Sequence, residues 1–125
     1  MQKLTIPGSV GAPLSAATVI DGIIYTSGHV GADRETGRIA EGFGDQMHCA
    51  MRNLQTTLEA SGGSLETIAK ALIFVTDSSY FDEMNATYRE YIASPVPARS
   101  TIVTALADPT LLFEIEVVAH VLEPA

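Results

Sequence analysis

Cysteine, tryptophan and basic residues are the scarce components of this chain. One cysteine, Cys49, cannot form a disulfide framework within one chain, which fits a reducing compartment. Tryptophan is absent and aromatic residues make up only 6% of the sequence, too few for a platform on which nucleic-acid bases stack. Seven Lys and Arg face fifteen Asp and Glu, for a net charge of −8. Phosphate backbones require clustered cations, so nucleic acid is not expected as a partner. No apolar run approaches the roughly 20 residues that span a bilayer, and the N-terminal residues lack the apolar core of a signal peptide. These readings exclude a membrane partner and lead to the expectation of a cytoplasmic protein.

What is present is a globular composition. Hydrophobic residues account for 46% of 125 residues, enough for one domain over 1–125 with a real core. "PGSVGAPLS" (7–15) reads as an irregular arm. "ATVIDGIIYTSG" reads as a hairpin, because Asp21-Gly22 is a two-residue turn signal between β-branched runs. After a polar loop, Phe43, Met47, Met51, Leu54 and Leu58 recur at helical spacing, and "SGGS" ends that helix. "AKALIFVTD" reads as a strand buried on both faces. A second helix carries Phe81, Met84, Tyr88 and Tyr91 or Ile92 on one side. Asp77, Ser78 and Ser79 are its candidate caps, with Asp82 completing an S-x-x-D pattern.

Pro95 and Pro97 stop that helix, and "ARSTIVTAL" and "LLFEIEVVAHVL" are the last two strands. The predicted order is β-β-α-β-α-β-β, with a further short strand near residues 3–6. Both helices cover one face of a single mixed sheet, an α+β sandwich. The other face needs a cover, which oligomerisation supplies most simply.

Arg99 opens the strand after the prolines. A guanidinium there can grip a small-molecule carboxylate through two N–H donors, or it can be an edge arginine paired with a surface acid. Glu114 and Glu116 share one face of the last strand. They suit general acid–base chemistry, or a solvated or interface face. "TALADPT" reads as a hairpin connection that brings Arg99 and Glu114 close. In "TSGH", Ser27 and Gly28 offer a hydroxyl and an unobstructed N–H, and His29 is either a titrating group or an ordinary loop histidine. His48, Cys49 and His120 lack metal-ligand spacing, and no glycine-rich nucleotide motif occurs, so neither metal nor cofactor is expected.

Five segments taken in order, "GAPLSAATVIDGIIYTSGHVGADRETGRI", "LQTTLEASGGSLETIAKALIFVTD", "FDEMNATYREYI", "PARSTI" and "FEIEVVA", resemble the RidA/YjgF enamine/imine deaminases, also called the endoribonuclease L-PSP family. The resemblance runs from about residue 11 to residue 119. It implies a chorismate-mutase-like fold, a homotrimer around a central barrel, and active sites between subunits. It also implies hydrolysis of 2-enamino or 2-imino acids to 2-keto acids and ammonia. By that resemblance Arg99 binds the substrate carboxylate and Glu114 is catalytic, while Ser27, Gly28 and Thr101 contact substrate. Three positions depart from the common pattern: Leu14 replaces a tyrosine, His29 replaces an amide, and Thr101 replaces a cysteine. Leu14 and His29 therefore join the substrate-binding set and bear on which substrate is preferred. The alternatives are a specialised deaminase resembling 2-aminomuconate deaminases, or a trimer that binds small metabolites without turnover.

Overall fold

A computed structural model describes residues 3–9 and 11–122. Val10 of the predicted arm lies outside the described residues. Seven strands and two α-helices follow in the order β1 (Lys3–Pro7), β2 (Ser15–Ile20), β3 (Ile23–Thr26), β4 (His29–Val30), α1 (Phe43–Ala60), β5 (Ile68–Val75), α2 (Phe81–Tyr91), β6 (Ala98–Val103) and β7 (Phe113–His120). The strands form one open, mixed sheet in the order β1-β2-β3-β7-β5-β6, with β4 continuing the β3 side of β7. Among the described strands only β5 and β6 run parallel. Among the described residues no helix is long and apolar enough to cross a membrane.

Local chemistry accounts for the joints. Asp21 and Gly22 both take positive φ, 54° and 78°, the backbone that a tight hairpin with right-twisted strands needs. At the end of α1, Gly62 turns left-handed, and the N–H groups of Gly62 and Gly63 close on the carbonyls of Glu59 and Leu58. That pattern satisfies the last helical carbonyls. The start of α2 differs from expectation. Asp77 accepts from the Ser79 N–H at 2.8 Å and caps a short 3₁₀ turn at Ser78–Tyr80, and the first residue position of α2 has no side-chain cap. The Ser79/Asp82 box is not formed, because the Ser79 N–H is committed one turn earlier.

Both helices lie on one face of the sheet. Met47, Met51, Leu54 and Leu58 of α1 and Met84 of α2 are fully buried against Ala71, Ile73, Phe113 and Ile115. Burial of each large side chain contributes about 1.5–3 kcal/mol. The alternation along β7 is clean. Phe113, Ile115, Val117 and Ala119 face the helices, whereas Glu114, Glu116 and Val118 face the open side. On β5 the expected two-sided burial is incomplete: Leu72 and Phe74 are half-buried and Lys70 is exposed on the open side. The open face also carries Tyr25, which is exposed.

One expectation is overturned. β6 and β7 are not a hairpin. β5 lies between them, pairing parallel with β6 and antiparallel with β7. The long apolar run of β5 suits an internal strand, and β6 is left at the edge with a single neighbour.

Candidate active site

Register decides which predicted residues can meet. Arg99 pairs with Ala71, and Ala71 with Val117, so Arg99 shares the helix-covered face. Glu114 is three residues from Val117 and therefore points to the open face. The guanidinium and the carboxylate of one chain lie on opposite sides of the sheet, one strand apart. The close Arg99–Glu114 pair expected from the sequence does not exist within a chain.

Two half-sites result. The first surrounds Glu114. Val30 pairs with Glu114 through β4, which places the 27–28 segment beside it. The Glu114 carboxyl lies directly against Gly28, so closely that any Cβ at position 28 would overlap it. Ser27 is tied to the neighbouring strand at both ends: its N–H donates to the Ala16 carbonyl at 2.8 Å and its hydroxyl to the Ser15 carbonyl at 2.7 Å. That hydroxyl proton goes to a carbonyl, not to a base, so Ser27 is not arranged as a nucleophile. Burial raises the Glu114 pKa above its ordinary value, and the nearby Glu116 carboxylate raises it further. Leu14, Ala16, Ser27, Gly28 and Arg34 border an adjoining hollow of about 440 Å³, with Leu14 53% exposed at its rim.

The second half-site surrounds Arg99. Its guanidinium carbon sits 4.9 Å from the centre of the Tyr88 ring and 6.0 Å from that of Phe81. A ring holds a guanidinium by attraction to its π face and uses none of its N–H donors. Burial raises the Tyr88 phenol above its ordinary pKa, and the Arg99 charge partly offsets this. Thr101 shares Arg99's face, and its hydroxyl is buried with no partner among the described residues. A hollow of about 310 Å³ beside Arg99 is also lined by Asn85, Tyr88 and Pro97. Asn85 was not a candidate from the sequence. Its spacing of three from Tyr88 on α2 was the available signal, since residues so spaced share a helix face.

His29 also borders the hollow beside Gly28, with its ring turned towards the helix face. It pairs with Ile115, on the helix face, and is 8% exposed. Both ring nitrogens are engaged, Nδ1 with the Ser27 carbonyl at 2.8 Å and Nε2 with the Thr57 hydroxyl at 2.7 Å. Among the described residues no three His, Cys, Asp or Glu side chains converge as metal ligands.

A family model described as Endoribonuclease L-PSP matches residues 7–121. The chain belongs to that family, which includes the RidA/YjgF proteins. A RutC family protein of Aquifex aeolicus is 36% identical over 115 residues, spanning 90% of this chain and 91% of the relative. The crystal structure of RidA from the Antarctic bacterium Psychrobacter sp. PAMC 21119 superposes with a TM-score of 0.86 at 32% identity, covering 94% of each chain. A Rid family protein from Yersinia pestis, YyfA, gives 0.87 at 32% identity and covers 96% of this chain and all of its own. The open mixed sheet with two helices on one face is thus the fold of this family.

Proposed function

We propose that this family member hydrolyses 2-enamino and 2-imino acids of the 2-aminoacrylate type to 2-keto acids and ammonia. The observation that carries the proposal is the division of the site. Arg99 has its ring-held N–H donors beside one hollow, Glu114 rests on Gly28 beside another, and the two lie on opposite faces of the sheet. A site that uses both draws Arg99 from one chain and Glu114 from a second. Closed rings of identical chains make such interfaces, and a trimer would also cover the open sheet face.

In this scheme Arg99 of one subunit holds the substrate carboxylate with two parallel bonds, which sets the imine carbon beside Glu114 of the next. Glu114 takes a proton from water as its oxygen attacks that carbon. The proton passes to the nitrogen of the tetrahedral intermediate. The hydroxyl proton of this intermediate then moves through Glu114 to the nitrogen as the C–N bond breaks, which releases ammonia and leaves the keto acid. An enamine first tautomerises to the imine, gaining a proton on carbon and losing one from nitrogen. The Gly28 N–H and the backbone at Thr101 orient the substrate nitrogen. Burial raises the Glu114 pKa, which makes its carboxylate a stronger base, and a positioned proton-transfer group supplies about 10²–10⁴-fold. The residues themselves provide every step, with no metal or cofactor in the scheme.

A second reading, a specialised deaminase acting on a longer dicarboxylate, is favoured by one feature. The hollow beside Gly28 reaches Arg34, a cation that can meet a second carboxylate. RNA cleavage, which the family description names, gains no support from a chain with seven basic and fifteen acidic residues.

The test generates imino acids with an L-amino-acid oxidase and traps them as semicarbazones. Wild type should lower semicarbazone yield, and Arg99→Ala should restore it. Wild type without effect on any small imino acid excludes the general deaminase. Tight binding of 2-ketobutyrate without turnover would identify a binding protein instead.

A further inference from the structure

We propose that His29 is a positioning residue which, with Thr57, locks the Ser27–Gly28 peptide so that the Gly28 N–H is aimed at the substrate. The catalytic part of this inference rests on the proposed deaminase reading; the geometric part does not.

The geometry begins at the Ser27 carbonyl. An oxygen of that kind only accepts, so Nδ1 of His29, 2.8 Å away, carries a proton and donates it. On the far side of the ring, Nε2 lies 2.7 Å from the Thr57 hydroxyl of α1. The Thr57 oxygen in turn accepts from Arg34 Nη1 at 3.2 Å. Thr57 can therefore direct its own proton at Nε2, and each polar atom in the chain has a partner of the right kind. The arrangement is buried: His29 is 8% exposed and Thr57 fully inside. It is also braced. One turn earlier on α1, Asn53 donates to the carbonyls of Val30 and Ala32 at 3.1 and 2.8 Å. Helix α1 thus holds the segment after Gly28 at three successive points.

The consequence follows from peptide geometry. The Ser27 carbonyl and the Gly28 N–H belong to one peptide group. The only cis bond among the described residues is Ser94–Pro95, so the 27–28 bond is trans. In a trans peptide the C=O and N–H point in opposite directions. A carbonyl pulled towards α1 by His29 sends the N–H the other way, away from α1, and Glu114 lies on the open face opposite the helices. Among the described residues that N–H takes no loop or turn hydrogen bond. A donor fixed in advance at the reacting group is worth far more than one that must be turned into place.

The first measurement needs no variant. A long-range ¹H–¹⁵N spectrum of wild type at neutral pH should show His29 neutral with its proton on Nδ1; a proton on Nε2 alone overturns the proposal. His29→Leu should shift the Gly28 amide resonance and lower kcat about tenfold or more, as loss of oriented N–H donors does elsewhere, while KM changes by less than about threefold. His29→Gln, which keeps one donor and one acceptor, should restore both the resonance and kcat. Thr57→Val tests the outer link should His29→Leu fail to fold, and should move the Gly28 amide in the same sense. Gly28 amide and kcat at wild-type values in His29→Leu, or in Thr57→Val, sink the proposal. Should wild type show no imine hydrolysis at all, the deaminase reading fails, and the tautomer and the Gly28 amide still decide the positioning role.

Discussion

Mixing two impaired variants tests the division of the site directly. Arg99→Ala removes the charged contact to the substrate carboxylate. One such hydrogen bond contributes about 1.5–3 kcal/mol, so this variant should lose at least about tenfold in kcat/KM. Glu114→Gln removes the proton carrier and should lose about 100-fold or more. Register sends the two side chains to opposite faces, so in the proposed ring each site would take Arg99 from one chain and Glu114 from its neighbour. The variants are unfolded together in equal amounts and refolded, with native mass spectrometry confirming mixed rings. A site is intact when its arginine comes from a Glu114→Gln chain and its glutamate from an Arg99→Ala chain. With random assembly this holds for about one quarter of sites, whatever the size of the closed ring. Imine hydrolysis should then recover to about a quarter of wild type, against a floor of about one twentieth for the separate variants averaged. Activity that stays at that floor in rings shown to be mixed refutes the two-chain site, and with it the reading of the sheet faces.

Three further outcomes follow from particular contacts. A Cβ at Gly31 would sit on the Gln46 backbone of α1, which cannot retreat as a flexible side chain does, so Gly31→Ala should cost about 3 kcal/mol or more in urea unfolding. Gln46 is 2% exposed; it donates to the Ala40 and Thr110 carbonyls and accepts from the Leu112 N–H. Gln46→Leu leaves those groups unpaired and should destabilise by about 1–3 kcal/mol, read from the same melts. The Glu114 pKa is raised in the folded chain, by burial first and by Glu116 second. The folded state therefore holds its proton more tightly than the unfolded one. This favours folding below the ordinary glutamate value and is lost as pH rises through the folded value. Glu114→Gln should accordingly raise the unfolding midpoint near neutral pH and lose that advantage in acid. An advantage independent of pH would contradict the assignment.

Much of this protein could be read from local pattern. The Asp21-Gly22 turn, the apolar stripe of α1, and the separation of Glu114 and Glu116 from Ile115 and Val117 are all where spacing put them. The family is equally legible, because its segments keep their order along the chain. These features depend on residues a few positions apart, whose relative directions the backbone period sets. The cap of α2 was less legible, since Asp77 and Ser79 are both good cap residues and only the 3₁₀ turn decides between them.

Three matters lay outside that range. Nothing local says that β5 separates β6 from β7, because strand order depends on how the β5–α2–β6 connection crosses the sheet. That insertion makes Arg99 share a face with Val117 and not with Glu114, since face identity passes from strand to strand by register. His29 read as a titrating group or an ordinary loop histidine, and only its parity with Ile115 shows its ring turned onto Thr57, which lies 28 residues away in sequence. Sequence alone thus determined both helices, every described strand but β4, the apolar faces of α1 and β7, and the family. The tertiary structure decided which functional groups share a face, because that relation is set by pairing between distant strands and has no local period to reveal it.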